Sequence, residues 1–165
     1  MALVYCSNCA APLPAGPPVT CPRCGASHWA NPKPCGGALV TDGGRVLLVR
    51  RANEPFRGRW DIPGGFCELH EHPASTAARE VREETGLEAR IGDLIGMWID
   101  DYGDTGDVTL NCYFHAELVG GDPAPQAGEV AEIGWFAPGE LPAEMAFPSH
   151  EPAVLAAWRA RFQGI

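Results

Sequence analysis

The feature that most constrains this fold is a short helix predicted between Pro73 and Gly86. Proline suits the first turn of a helix, where its missing N–H removes no hydrogen bond, and glycine suits the position just past the last turn. Between them, small apolar residues recur at helical spacing and form one narrow stripe: Ala74, Ala77, Ala78 and Val81. A stripe of such small side chains predicts a helix that packs closely against a β-sheet.

Three carboxylates flank this stripe on one face of the helix: Glu80, Glu83 and Glu84. Their i, i+3, i+4 spacing places the Cβ atoms about 5–6 Å apart, and each like-charge pair costs about 0.2–0.5 kcal/mol on an isolated helix. The last two also lie at the negative end of the helix dipole, which disfavours acids. From the helix alone, two interpretations are open. The face is either a solvated surface with Arg79 and Arg82 as partners, or a site for a hard divalent cation such as Mg²⁺ or Mn²⁺.

The spacing over the longer stretch from Gly65 to Leu87 favours the cation site. Five residues separate Gly65 from Glu71, seven separate Glu71 from Arg79, and the acidic, apolar and glycine positions of the helix follow. This pattern resembles the Nudix box at every position across twenty-three residues. The resemblance implies the Nudix fold, and it implies a hydrolase that cleaves the pyrophosphate linkage of a nucleoside diphosphate joined to another group.

The resemblance also implies a role for each charged residue of the motif. The catalytic Mg²⁺ or Mn²⁺ would be bound by Glu80, Glu84, Glu83 and a backbone carbonyl at Gly65. The first two would be the main ligands, and Glu83 would be a further ligand or an acid behind them. Glu71 would pair with Arg79 and fix the loop on the helix.

The general base that takes the proton of the attacking water is open between two positions. We expect it to be Glu83 or a carboxylate from outside the motif. Glu129, just before a predicted strand that ends at Trp135 and Phe136, is our candidate for that distant carboxylate, since many Nudix proteins look similar there. An ordinary loop acid is the alternative interpretation of Glu129, and Glu132 is the fallback.

Substrate contacts are predicted from basic and aromatic residues near the motif. The net charge of −9 argues against a broad nucleic-acid footprint and requires local positive charge to attract an anionic substrate. Arginine forks match phosphate oxygens, and four arginines lie just before the motif: Arg50, Arg51, Arg57 and Arg59. We assign substrate contacts to Arg50, Arg51, Arg59 and Tyr102. The alternatives are a strand end reaching solvent for the first two and an exposed loop aromatic for Tyr102.

The N-terminal segment predicts a separate metal-binding unit. Four cysteines form two Cys-x-x-Cys pairs separated by eleven residues: Cys6 and Cys9, then Cys21 and Cys24. This pattern predicts a structural Cys₄ zinc ribbon whose closed coordination excludes a catalytic role for the zinc. Two disulfides or a redox pair suit a chain without a secretion signal less well, and His28 is interpreted as a bystander. We therefore divide the chain into a zinc ribbon at 1–31 and a Nudix hydrolase domain at 32–165.

The remaining pattern predicts an α/β fold, a Nudix mixed-sheet α/β/α sandwich preceded by the small zinc ribbon. Predicted strands are Gly36–Thr41, Arg45–Arg51, Glu88–Ile99 with a break near Gly92-Asp93, Val108–Leu118 and Val130–Phe136. Predicted connections are a stiff segment at Asn31–Pro34, a hairpin turn at Asp42-Gly43-Gly44, and loops at 100–107 and 120–128. An amphipathic helix at 151–162, with Val154, Leu155, Trp158 and Phe162, is expected to close the fold.

Location and partners follow from what the sequence lacks. No apolar run approaches the roughly 20 residues of a membrane helix, and the first residues have no basic segment followed by an apolar core. We therefore expect a cytoplasmic protein that acts on a small-molecule nucleotide, with no membrane contact and no nucleic-acid partner. Many Nudix proteins form dimers, so the resemblance allows a homodimer.

Substrate choice is the least determined part of the sequence. A zinc ribbon before a Nudix domain resembles NADH pyrophosphatases and smaller Nudix proteins that act on ADP-ribose or FAD. The stretch Trp98–Tyr102 departs from the Ser-Gln-Pro-Trp-type motif of the NADH group, and Tyr102 stands where ADP-ribose enzymes often carry proline. Hydrolysis of dinucleoside polyphosphates or oxidised nucleoside triphosphates is therefore an alternative. So are a non-catalytic nucleotide- or RNA-binding regulatory module and an isoprenoid diphosphate isomerase with Cys67 as its candidate residue.

Overall fold

A computed structural model describes residues 4–160 of the chain. Within that range lie nine strands, two helices and one 3₁₀ turn at Gly103–Thr105. The strands are β1 (Val19–Thr20), β2 (Ser27–His28), β3 (Lys33–Asp42), β4 (Arg45–Arg51), β5 (Trp60–Asp61), β6 (Gly64–Phe66), β7 (Leu87–Asp101), β8 (Val108–Gly121) and β9 (Val130–Phe136). The helices are α1 (Pro73–Thr85) and α2 (Glu151–Ala160). Neither helix is long and apolar enough to cross a membrane.

Strands β3 to β9 form one mixed sheet. Its order is β5-β4-β3-β8-β7, with β6 also pairing with β3 and β9 pairing with β4. Strands β3 and β8 run parallel, from Lys33 opposite Thr109 to Thr41 opposite Glu117, and the other pairings in this sheet are antiparallel. Helices α1 and α2 pack on opposite faces of the sheet. The predicted α/β/α sandwich with a mixed sheet is confirmed.

Each face of the sheet carries its own hydrophobic core because side chains alternate along a strand. Val40 of β3 packs with Val81 of α1 on one face. Its neighbour Leu39 packs with Trp158 of α2 on the other face. All four side chains are fully buried. The small-residue stripe predicted on the first helix therefore faces the sheet, as expected.

The close approach of α1 to the sheet depends on a glycine in β3. A Cβ atom at Gly36 would lie 2.0 Å from the carbonyl oxygen of Pro73, so no other residue fits this position without moving the helix. The helix ends at the predicted glycine: Gly86 has a φ of 71°, and its N–H donates to the carbonyl of Arg82 at 2.9 Å. The start and end of α1 are both where the sequence places them.

Two further elements are confirmed at their predicted positions. Strands β3 and β4 form a hairpin whose turn contains Gly43 and Gly44, with φ values of 53° and 78°. Glycine adopts these left-handed conformations without the steric penalty that other residues meet. Strand β9 also has the predicted bounds, Val130–Phe136.

Two predicted boundaries are wrong: the end of the connector before β3 and the break inside β7. The last two residues of the connector Asn31–Pro34 belong to β3, because parallel pairing with β8 begins there. The expected break near Gly92-Asp93 is not a strand end either. Strand β7 continues through it, and its register with β8 shifts between Ile91 and Leu94, as in a β-bulge. A glycine in a strand pattern thus marks a local irregularity here rather than a boundary.

The two predicted loops, 100–107 and 120–128, begin two residues later than expected. Asp100 and Asp101 extend β7, and Gly120 and Gly121 extend β8, because these two strands pair along nearly their whole length. The last helix is confirmed as far as Ala160. Phe162, predicted to belong to it, lies outside the described residues.

Candidate active site and cysteine cluster

The candidate site is a cleft beside the glycine loop that forms β6. Strand β6 pairs with β3, with Gly64 opposite Gly37 and Gly65 opposite Gly36. A Cβ atom at Gly65 would lie 2.4 Å from a carboxylate oxygen of Glu80. Glycine at this position therefore lets the Glu80 carboxylate reach the backbone that is predicted to supply a carbonyl ligand.

Carboxylates from separate parts of the chain line this cleft: Glu54, Asp61, Glu68, Glu80, Glu84 and Glu129. Two of them are the main metal ligands predicted on α1, and Glu129 is the predicted distant carboxylate. The N–H of Ala52 donates to the carbonyl of Glu129 at 2.8 Å, which ties the start of β9 to the segment after β4. The structure thus brings three predicted acids into one cleft although they lie up to about fifty residues apart in sequence.

Burial and mutual repulsion disfavour the charged forms of the α1 carboxylates. Burial raises the pKa of Glu84 well above its usual range, and the nearby Asp61 and Glu80 add to the shift. The N–H of Gly64, which donates to Glu84 Oε2 at 3.1 Å, opposes it. Burial also raises the pKa of Glu80 against the opposing effect of Arg79. A divalent cation would reverse both shifts, and this all-oxygen donor set fits Mg²⁺ or Mn²⁺.

Arg79 is the centre of an ion-pair network on the wall of the cleft. Its Nε and Nη2 donate to the two carboxylate oxygens of Glu71 at 3.0 and 2.9 Å. Its Nη1 donates to Glu80 at 2.7 Å and to Glu83 at 3.0 Å. The guanidinium, together with the N–H of Glu68, lowers the pKa of Glu71 to about 2. The expected pairing of Glu71 with Arg79 is therefore part of the structure, and it holds the loop against α1.

Some predicted site residues lie outside the lining of the cleft. The Glu83 side chain is 44 % exposed and turns toward Arg79. Glu132, the fallback for the distant carboxylate, is exposed. The Arg59 guanidinium lies over the ring of Phe56, 5.9 Å from its centroid. Of the three acids considered for proton transfer, Glu129 is the one that faces the cleft.

The two neighbouring arginines at the end of β4 have different surroundings. Arg51 lines the cleft, where its Nη1 donates to Asp61 at 2.6 Å and its Nη2 donates to the Tyr102 hydroxyl at 3.2 Å. Arg50 is exposed and lies 3.5 Å from Glu132. Alternation along the strand separates the two side chains. Of the four predicted substrate residues, the structure brings Arg51 and Tyr102 to the cleft.

This geometry agrees with the comparison with known proteins. A family model described as the NUDIX domain matches residues 32–157, most of the chain. The chain belongs to the NUDIX domain family. The resemblance read from the motif is therefore confirmed at the level of the family.

Several relatives of this Nudix protein show what it is similar to. It is 32 % identical over 142 residues to "NAD-capped RNA hydrolase NudC" of Stutzerimonas stutzeri, covering 84 % of this chain and 50 % of that protein. It is 30 % identical over 127 residues to "ADP-ribose pyrophosphatase" of Methanocaldococcus jannaschii, covering 76 % and 73 %. The chain spans about half the length of the NudC relatives that it matches.

A solved structure supports the same fold. The crystal structure of a NUDIX hydrolase from Nitrosomonas europaea superimposes with a TM-score of 0.82 at 29 % identity, covering 97 % of this chain and 93 % of that one. The similarity therefore includes the N-terminal segment as well as the Nudix domain.

The sequence analysis missed residues that hold no fixed position of the motif. Asp61 pairs with Arg51 and is buried, Phe66 is the last residue of β6, and Asn111 lies in the same pocket as Phe66. One signal was present: Asp61 stands between Trp60 and Ile62, and an acid among apolar residues usually has a buried partner. No sequence pattern distinguishes Asn111 from other strand residues.

The four predicted zinc ligands form one cluster: Cys6, Cys9, Cys21 and Cys24. Their sulfur atoms all lie within 4.8 Å of one another. Hydrogen bonding from the backbone N–H of Ala26, with help from Asn8, lowers the pKa of Cys24 to about 6, which favours the thiolate that binds zinc. His28 Nε2 lies 3.2 Å from Cys6 Sγ, beside the cluster. The cluster is compatible with a small zinc ribbon.

Proposed function

We propose that this Nudix protein hydrolyses the pyrophosphate bond of a nucleoside diphosphate joined to another group, such as ADP-ribose, FAD or an NADH-like dinucleotide. One observation carries the proposal: Glu80, Glu84 and Glu129 share a cleft with the glycine loop and Arg51. Carboxylate oxygens suit Mg²⁺ or Mn²⁺, and a guanidinium beside them suits a phosphate oxygen.

The residues that would hold the metal lie on two elements. We assign Mg²⁺ or Mn²⁺ to Glu80 and Glu84 of α1 and to the carbonyl of Gly65, with Glu83 as a further acid behind them. When bound, the ion neutralises charge on the diphosphate oxygens and acidifies the attacking water. Arg79 donates to both Glu80 and Glu83, so it orients one ligand and links the other acid to it.

Glu129 is our assignment for the general base. Glu129 is an exposed residue at the rim of the same cleft, and its charge contributes to the raised pKa of Glu80. It also comes from a different element than the ligands on α1, so it can accept a proton while those ligands stay on the metal. In this step the water oxygen attacks phosphorus, the proton passes to Glu129, and the bridging oxygen leaves with the other phosphate.

Arg51 and Tyr102 are assigned to the substrate. Asp61 and the Tyr102 hydroxyl hold the Arg51 guanidinium, so it is oriented before any phosphate arrives. Such preorganisation reduces the entropy lost on binding. Arg50 and Arg59 were predicted to bind the substrate as well, and they carry no part of this proposal because their side chains are engaged outside the cleft.

The names of the relatives support this class of substrate. NAD-capped RNA and ADP-ribose both contain a diphosphate that joins an adenosine to a second group. The negative net charge of this chain favours the small nucleotide over the RNA.

The proposal is tested with a substrate panel at saturating Mg²⁺: ADP-ribose, FAD, NADH, NAD-capped RNA, a dinucleoside polyphosphate and an oxidised nucleoside triphosphate. We expect the highest kcat/KM on one of the first three, with a nucleoside monophosphate as one product. Preferred hydrolysis of either of the last two would support the dinucleoside polyphosphate or triphosphate alternative. Binding of these compounds without turnover in Mg²⁺ or Mn²⁺ would contradict the proposal and favour a regulatory module.

We also propose that residues 1–31 form a zinc ribbon with a structural role, and that residues 32–165 form the hydrolase domain. Replacing Cys9 with serine should release about one zinc ion per chain and lower the melting temperature, because zinc supplies most of the folding energy of such a unit. Elemental analysis and a thermal melt measure both effects. Cys35→Ser, outside the cluster, is the control and should retain its zinc. Unchanged zinc content in the Cys9→Ser protein would show that the four sulfurs do not bind it.

A further inference from the structure

A second pocket adjoins the acidic cleft across the glycine loop. The lining residues that the two share are Arg51, Asp61, Gly64, Gly65, Phe66 and Tyr102. The second pocket also contacts Thr109, Asn111, Tyr113 and Phe147, and none of the carboxylates of α1 lines it. A substrate whose diphosphate lies in the acidic cleft would therefore extend one of its end groups into this pocket.

The aromatic wall of the pocket consists of three rings in contact: Phe66, Tyr102 and Phe147. The Tyr102 ring centroid lies 5.3 Å from that of Phe66 and 5.9 Å from that of Phe147. Tyr102 meets Phe66 at an interplanar angle of 66° and stacks on Phe147 at 23°, so a planar group would lie against one of these rings rather than between them. Phe66 is 38 % exposed and offers such a surface, with Lys33 Nζ 5.4 Å from its ring centroid. A stacked base is a favourable partner for aromatic side chains of this kind.

Thr109 fixes the orientation of the Asn111 side-chain amide in the pocket. The Thr109 hydroxyl donates to the carbonyl of Asp100 at 3.2 Å, so its oxygen is left to accept a hydrogen bond. Asn111 Nδ2 donates to that oxygen at 2.9 Å. The amide therefore directs one N–H toward Thr109 and keeps its second N–H and its carbonyl oxygen for a ligand. Among residues 4–160, no hydrogen bond from another side chain to that carbonyl oxygen is found.

We propose that this pocket binds the adenine base of the substrate and that Asn111 selects it. An amide that offers one acceptor and one donor side by side matches the N6 amine and the N7 acceptor of adenine. Hypoxanthine and guanine carry an oxygen in place of that amine, which would face the amide carbonyl oxygen. This inference rests on the proposed function, and it adds which base the enzyme prefers and which residue is responsible.

The test compares ADP-ribose with inosine diphosphate ribose, which differ in the group at position 6 of the base. We expect the wild-type protein to have a kcat/KM for ADP-ribose at least about tenfold higher. The equilibrium affinity for AMP and IMP, measured by calorimetry without catalysis, should show the same preference. Equal affinity for AMP and IMP together with equal turnover of the two substrates would overturn the inference.

Two variants locate the preference at Asn111. Asn111→Leu keeps the size of the side chain and should reduce the preference for AMP over IMP to less than about threefold. Thr109→Val removes the hydroxyl that orients the amide and should partly reduce the preference for AMP over IMP. Asn31→Leu, on an exposed connector, is the matched control and should keep the wild-type preference. A preference that persists unchanged in a folded Asn111→Leu protein would contradict the assignment.

The outcomes also separate this inference from the proposed function. If neither diphosphate sugar is hydrolysed but AMP binds more tightly than IMP, the hydrolase proposal fails and the base pocket stands. If both are hydrolysed at equal rates and AMP and IMP bind equally, the hydrolase proposal stands and the inference fails.

Discussion

Replacing Glu84 with glutamine should lower kcat by about 10³-fold with ADP-ribose in Mg²⁺ while the protein remains folded. The substitution keeps the shape of the side chain and an oxygen that can accept from the N–H of Gly64, but it removes the charge that a divalent cation requires. Several kcal/mol of transition-state stabilisation depend on that cation, and each 1.36 kcal/mol corresponds to about a tenfold rate. Steady-state kinetics over a range of Mg²⁺ concentrations measure the loss.

Folding stability separates this effect from damage to the structure. Glu84 is a carboxylate whose charged form is disfavoured by burial, by Asp61 and by Glu80. Without metal, the variant should therefore be at least as stable as the wild type in a thermal melt. Glu140→Gln, an exposed acid in the turn after β9, is the matched control and should keep both activity and stability. Near-normal activity of the Glu84→Gln protein would place the catalytic metal elsewhere.

Replacing Glu129 with glutamine should lower kcat by about 10²–10⁴-fold, the range expected for loss of a general base. Binding of Mn²⁺ should change little, because Glu80 and Glu84 remain in place. Steady-state kinetics in Mg²⁺ measure the rate, and a calorimetric titration with Mn²⁺ measures the binding.

Glu132→Gln is the control for this second experiment. Glu129 immediately precedes β9 and Glu132 belongs to it, and both are exposed. Glu129 lines the cleft, whereas Glu132 lies 3.5 Å from Arg50. It should retain full activity. If instead Glu129→Gln is active and Glu83→Gln is not, the base lies on α1 and the assignment made here is wrong.

Much of the fold was predictable because local signals agreed with the tertiary structure. Pro73 and Gly86 place α1 because each relieves a backbone constraint at a helix end. The two glycines of the β3–β4 turn place the hairpin because they adopt positive φ values without a steric penalty. The lengths of β7 and β8 were underestimated. Their mutual pairing extends both strands beyond residues that would end an isolated strand.

The site was predictable where residues act through fixed spacing and was not where they act through contacts between distant strands. Glu80 and Glu84 face one way because helical spacing requires it. The sequence could not separate Arg50 from Arg51, since which of the two faces the cleft depends on the register of β4 in the sheet. Asp61 and Asn111 likewise reach the site through strand pairing, which a single sequence does not report.

The most direct test of the account is a calorimetric titration of the folded, zinc-loaded protein with Mn²⁺, with and without ADP-ribose. The account predicts uptake by the wild-type protein that is greatly reduced in the Glu80→Gln and Glu84→Gln variants and unchanged in Glu140→Gln. Absence of uptake by the folded wild-type protein under both conditions, or equal uptake by all of these variants, would contradict a metal-binding role for the carboxylates of α1.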